Sequence, residues 1–283
     1  MIDLHTHSRA SDGSLSPSEL IQTAKERGLS AIALTDHDTL DGLEEAREAA
    51  AKQQIRFIPG IEIDIRYDPI TVGGEFHLLG LGIREPGPAF REALAELTRL
   101  REKRNRHILE RMGEMGVRAD YDEIRALSGG GSVGRPHFAA LLVQRGIVKD
   151  REQAFSTYLG KDRPLYISKE GLEFKRAVRV IRDAGGIPVL AHPMSLYVAW
   201  GRLPDLIADL AAQGLAGIEA WHPTAKVRSC KRLEDLGKSL GLYITAGSDF
   251  HGESRPDRKL GITAGGRTIE DALLDSIPPL RHY

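Results

Sequence analysis

The first residues able to do chemistry are His5 and His7, separated only by Thr6 and following the apolar Ile2 and Leu4. Side chains alternate along a strand, so residues two apart point to one side. The two imidazoles would therefore aim at one place. The same types recur after other apolar runs: Asp36, His37 and Asp38 after 30–34, Glu62 after 56–58 and His192 after 187–191. His222 follows 217–221, and Asp249 and His251 follow 242–246. With 10 histidines in 283 residues, a single strand-end histidine means little. Histidines after at least four separate strands, accompanied by carboxylates, are hard to ascribe to chance. Such donors suit zinc, manganese or iron. A carboxylate can bridge two ions, and paired ions can turn a shared water into a bridging hydroxide that attacks phosphorus in line. The donors outnumber what one tetrahedral ion can use, so two or three divalent ions are expected.

These residues need strands and helices to place them. Ser16-Pro17-Ser18-Glu19 is a capping box with proline at the first helical position, and Gly28 supplies the stop. A second helix is expected over 40–52. Strands are expected over 30–34, 56–58, 75–81, 187–191, 217–221 and 242–246. Alternating strands and helices argue for a parallel sheet or barrel, with ligands at the carboxyl ends of its strands. Between 88 and 184 the strand signals vanish, and helical periodicity covers 89–115, 135–144 and 170–184. SGGGSVG (128–134) reads as a flexible joint in this block. The expectation is a helical insertion of 97 residues, 88–184, capping a barrel built from 1–87 and 185–283. The remaining 186 residues fall short of the roughly 250 of an eight-stranded barrel, so a distorted seven-unit α/β barrel fits better.

Charge divides along the same line. Residues 88–184 hold 20 Lys+Arg against 14 Asp+Glu, a net of +6; the remainder holds 19 against 26, a net of −7. A basic cap over an acidic body suits an anionic substrate beside metal cations. LTRLREKRNRH (97–107) reads equally well as a solvated helix face. The single cysteine, Cys230, excludes an intrachain disulfide and a cysteine-rich zinc site. With no apolar run of about 18 residues and no basic, apolar leader, the expectation is a cytoplasmic enzyme. Neither a membrane nor an obligate protein partner is expected.

HTHSRASDG, TDHDT, PGIEI, EFHLLG, AHP and GSDFHG, in that order, resemble the PHP (polymerase and histidinol phosphatase) family. The resemblance is closest to its small-phosphoesterase branch, which includes the 3′,5′-nucleoside bisphosphate phosphatases and RNase AM. It implies a distorted (β/α)7 barrel, the PHP fold, with a trinuclear metal centre. His5, His7, Glu62 and Asp249 would hold one ion. Glu62 would bridge to a second, held also by His77 and His192. Asp12, His37 and His251 would hold the third. Read alone, Asp12 is a turn residue in Ser-Asp-Gly, and His77 falls mid-strand rather than at a tip. Asp36 and Asp38 would orient ligands, although Asp38 serves equally as a helix cap.

Arg135 and His137, in GRPHF, open an inserted helix where arginine can grip phosphate and the helix end favours anions. Pro136 makes plain helix initiation the alternative. His222 is a candidate substrate contact and the candidate acid for a leaving alkoxide, joining Asp249 and His192 in the catalytic set. Trp221 beside it would stack on a base or simply pack. His107 and His282 are expected at the surface and at a frayed end.

The expected function is metal-dependent hydrolysis of a phosphomonoester on a small nucleotide, the 3′-phosphate of a nucleoside 3′,5′-bisphosphate. Trimming of short RNA from the 5′ end is the alternative. Histidinol-phosphate hydrolysis, a non-catalytic PHP binding module and a metal-dependent amidohydrolase follow.

Overall fold

A computed structural model describes residues 1–67, 74–128, 131–168 and 170–283. Gly129 and Gly130 are outside that set, so the centre of the expected joint at 128–134 is not among the described residues. The sheet is built from β1 (Ile2–Asp3), β2 (Ala31–Leu34), β3 (Arg56–Arg66), β4 (His77–Leu81), β5 (Leu172–Glu173), β6 (Ile187–Leu190), β7 (Gly217–Trp221) and β8 (Tyr243–Ala246). Its path runs β1-β2-β3-β4-β6-β7-β8, with β5 added to the end of β3. The ends almost meet. The Asp249 N–H donates to the His5 carbonyl and the His7 N–H to the Phe250 carbonyl, both at 2.9 Å. The result is a nearly closed α/β barrel of seven strands.

Two differences from the sequence expectation decide where the chemistry sits. First, β3 does not stop at residue 58. It continues through Pro59 to Arg66, because Leu34 of β2 pairs with Pro59 and β4 takes over the pairing from Gly60 to Asp64. Glu62 is thus within a strand, on the part of β3 that overhangs the end of β2. Second, β4 is antiparallel to both β3 and β6, so the barrel is not uniformly parallel. A strand reversed in this way presents its first residue at the rim where its neighbours present their last. His77, the first residue of β4, therefore reaches the same end as the strand-tip histidines.

The helices follow their apolar periodicity. In α1 (Pro17–Glu26) the Ser16 capping box forms, and Leu20, Ile21 and Ala24 are buried together with Leu43, Ala46 and Ala50 of α2 (Leu43–Gln53). The expected start of α2 at residue 40 moves to Leu43, with Gly42 as its N-cap. A long helix, α3 (Pro88–Glu114), joins two cores. Phe90, Ala93 and Leu97 pack with the barrel, whereas Ile108 and Met112 pack with α4 (Tyr121–Leu127), α5 (Arg135–Gln144) and α6 (Arg151–Ala154). The helix expected over 170–184 is preceded by β5 and is α7 (Phe174–Asp183), whose Phe174, Ala177, Val178 and Ile181 face the barrel core. At the opposite end from the site, Ile269, Leu274, Ile277 and Leu280 pack against Ile2, Ala31 and Ile58.

Candidate metal centre

Nine residues expected to hold metal come together at one rim. His5, His7, Glu62 and Asp249 offer ligand atoms within 4.8 Å of one another, as do His7, Asp12, His37 and His251, and His37, Glu62 and His77. The Nε2 atoms of His5 and His7 are 3.1 Å apart, and each is 3.2 Å from Glu62 Oε2. His192 Nε2 stands 2.9 Å from Glu62 Oε1 and 3.2 Å from His77 Nδ1. His251 Nε2 is 3.2 Å from Asp12 Oδ1. The three groups share members: Glu62 and His37 each belong to two, and so does His7.

The donor set itself tests whether cations fit. Buried carboxylates and imidazoles, the donors that divalent transition ions take, crowd one space. Among the described residues, His7 Nδ1 and His251 Nε2 are buried without a hydrogen bond. Burial alone would lower the histidine pKa values and raise the acids. For His5 the Glu219 and Glu62 carboxylates outweigh burial and hold it well above the ordinary range. For His7, Asp249 and Glu62 do the same, to about 9. Against burial, the surrounding histidines hold Glu62, Asp249 and Asp12 well below the usual carboxylate range. The cluster stabilises positive charge at its centre, whether as protons or as metal ions.

Other buried acids fix the ring orientations, and the sequence reading passed over two of them. Glu219 accepts from His5 Nδ1 at 3.0 Å and from the His192 N–H at 2.7 Å, turning His5 Nε2 toward the cluster. Gly247 makes room for this contact: a Cβ there would meet His5 Cβ at 2.2 Å and Glu219 Oε1 at 2.7 Å. Asp64 Oδ1 is 2.8 Å from His77 Nε2, leaving His77 Nδ1 facing Glu62 at 2.9 Å. Asp36, expected to orient a ligand ring, instead accepts from the Ser8 N–H, Ser8 Oγ and Ser11 Oγ and so shapes the loop carrying Asp12. Asp38 is not a helix cap. It accepts from the Asp64 N–H at 3.0 Å and pairs with Arg101. Asp38, His192 and Asp249 all have positive φ, at 52°, 27° and 54°, the concentration of backbone strain typical of functional sites.

A cavity of about 350 Å³ opens above the cluster. Six arginines line it: Arg101, Arg104, Arg135, Arg151, Arg255 and Arg258. Only Arg135 had been singled out, and it is already paired with Glu75 at 3.0 Å and lies over the Tyr166 ring. His137 is not among the lining residues. Its Nδ1 accepts from the Gly134 N–H at 2.9 Å, so its ring serves the start of α5 rather than the cavity. His222 lines the cavity with Nε2 3.4 Å from Asp249 Oδ2 and Nδ1 2.7 Å from Thr224 Oγ1. Burial lowers its pKa against the pull of Asp249 and Glu219, keeping it neutral near pH 7. Trp221 donates to Glu234 and does not line the cavity. His107 and His282 are exposed.

Arg104 differs from the other five. Like Arg258 it is buried, at 7% exposed, with no hydrogen bond at Nε. But Arg258 is paired with Asp249 and Asp257, whereas among the described residues the one polar contact of Arg104 is with Asn105 Oδ1 at 3.3 Å. Burial lowers its pKa to about 10, against Asp64 and with added repulsion from Arg101 and Arg135.

Comparison with known proteins agrees with this arrangement. The PHP domain profile matches residues 3–163. A 5′-3′ exoribonuclease of Haemophilus influenzae is 36% identical over 249 residues, 88% of this chain and 89% of the relative. A 3′,5′-nucleoside bisphosphate phosphatase of Chromobacterium violaceum is 36% identical over 263 residues, 93% of this chain and 91% of the relative. A solved structure from Chromobacterium violaceum, described as an amidohydrolase with bound sulfate and no metal, superposes with a TM-score of 0.84. It is 34% identical, and the match covers 97% of this chain and 96% of that one.

Proposed function

The chain belongs to the PHP family, and from that premise we propose that it removes the 3′-phosphate of nucleoside 3′,5′-bisphosphates. The broader statement is established: it is a metal-dependent phosphoric ester hydrolase. What supports the finer reading most is one observation. Three donor groups sharing Glu62, His7 and His37 sit beneath a nucleotide-sized cavity ringed by six arginines.

In this reading His5, His7, Glu62 and Asp249 would hold one ion, Glu62, His77 and His192 a second, and Asp12, His37 and His251 a third. His7 and His37 stand close enough to serve a neighbouring ion as well. Manganese, iron or zinc suits these donors. Divalent ions bound there neutralise phosphate charge and make water a competent nucleophile near pH 7. The chain's own residues do the rest. Glu219 and Asp64 hold His5 and His77 in the tautomers that direct a lone pair inward. Arg255 and Arg258, 3.8 and 3.9 Å from Asp249 Oδ2, would face the reacting phosphate. His222 Nε2 is placed to give or take a proton at the leaving oxygen. The insertion of 88–184 supplies the arginines of the roof.

A second reading has a specific observation behind it. A further cavity of about 610 Å³ shares Arg101, Ser132 and Val133 with the first, leaving room beyond one nucleotide. A short RNA trimmed from its 5′ end would use that space, as the Haemophilus relative's name indicates for that protein. No helix among the described residues is long and apolar enough to cross a membrane, and we place the enzyme in the cytoplasm. The test is a substrate panel with manganese: adenosine 3′,5′-bisphosphate, AMP, histidinol phosphate and a short oligoribonucleotide. Fastest turnover of the bisphosphate supports the reading, and faster turnover of the oligonucleotide replaces it.

A further inference from the structure

A buried guanidinium without an anionic partner is costly, because desolvation is not offset by an ion pair. Arg104 is in that position, and it lines the catalytic cavity. Among the described residues no carboxylate lies within ion-pair distance of it. Arg101 has Asp38, Arg135 has Glu75, Arg151 donates to the Ser254 carbonyl, and Arg255 and Arg258 flank Asp249. Nor is Arg104 an outward charge that has folded in. Ala93, Leu97, Ile108 and Met112 are buried along one side of α3, and Arg104, seven residues after Leu97 and four before Ile108, falls on that inward stripe. Asn105 next to it is also buried, donating to the Val133 carbonyl at 3.0 Å while its Oδ1 receives Arg104 Nη2. Nη2 is thereby anchored at one hydrogen, and Nε, itself shielded, has no hydrogen bond among the described residues.

We propose that Arg104 is an anion subsite, its guanidinium receiving the phosphate group of the substrate that is not hydrolysed. A dianionic phosphate offers the paired oxygens that a guanidinium edge recognises. The inference rests on the bisphosphate reading above, and it gives the spare phosphate to Arg104 rather than to Arg135, the arginine expected from sequence to grip phosphate.

Full-length, metal-reconstituted protein is assayed on adenosine 3′,5′-bisphosphate and adenosine 3′-monophosphate, as wild type, Arg104→Met and Arg104→Lys. Loss of a charged hydrogen bond predicts that the ratio of kcat/KM between the two substrates falls about 10- to 150-fold in Arg104→Met, mainly through KM. Arg104→Lys is expected to fall between, keeping charge but losing the planar edge. An unchanged ratio in both variants overturns the subsite. A second measurement uses inorganic phosphate and metal-free protein. Phosphate is expected to raise the Tm of wild type, whereas Arg104→Met starts at an equal or higher Tm and responds less. An equal phosphate response in wild type and both variants contradicts the proposal, as does a lower starting Tm with that response intact. If wild type hydrolyses neither nucleotide, the substrate reading fails, while the phosphate response still judges Arg104.

Discussion

The floor and the roof of the cavity handle charge in opposite ways. On the floor, imidazoles and carboxylates interleave so closely that each sign is compensated by the other, and Glu62 alone touches His5, His7, His37, His77 and His192. In the roof, arginines from α3, α5 and α6 face the same space, and among the described residues Arg104 has no carboxylate within ion-pair distance. A floor of this kind is complete once cations arrive. A roof of this kind is complete only with an anion. In the proposed reading chemistry falls to the floor and recognition largely to the roof, and that division can be attacked from either side.

The largest effect should come from removing a floor donor. Asp249→Asn or Glu62→Gln is expected to bring hydrolysis to background with the fold retained, since each changes a ligand atom and little volume. Circular dichroism, metal content and turnover together check this; near-normal turnover would remove that residue from the centre. Next comes Glu219→Gln, which touches no expected ion and acts through His5. A loss of about 10- to 100-fold in metal affinity is expected, read by competition with a chelator.

A pH effect follows from His7. Its folded pKa of about 9 exceeds the ordinary 6.5, so in metal-free protein its stabilising contribution is complete below pH 6.5 and is lost as pH rises through 9. Ligands must also shed protons to bind metal, so bound ions hold better at higher pH. The Tm of metal-free protein should fall between pH 6.5 and 9, and the gap to metal-loaded protein should widen. A constant gap would show that the cluster does not raise the pKa of His7. The smallest effect belongs to Arg135, whose partner is the half-exposed Glu75. Arg135→Ala should cost about fivefold or less on the bisphosphate. A loss as large as that of Arg104→Met would make the two arginines one clamp.

Much of the floor was legible because its residues follow apolar strands, where side-chain types stand out against the run before them. His77 was harder to place. Nothing local in EFHLLGL tells that β4 runs backward, and only that reversal brings the first residue of the strand to the rim. Pro59 likewise read as a strand end, whereas β3 passes through it on the strength of pairing with β2 and β4. Glu219 was hidden within the apolar run GIEAW, since its partners His5 and His192 are distant in sequence. The signal for Arg104 was present. LTRLREKRNRH reads as a solvated face when its charges are counted, but Arg104 falls on the stripe of Ala93, Leu97, Ile108 and Met112. Exposed Arg99, Lys103 and Arg106 mask that register.

The central claim is that nine residues from one rim form a centre for more than one metal ion. Counting ions per chain tests it most directly, by elemental analysis of protein purified without chelator and again after reconstitution with manganese, iron or zinc. Two or three ions per chain are expected, falling when Asp12 or His192 is replaced by alanine. A reproducible value of one or fewer after reconstitution with each metal would contradict the account.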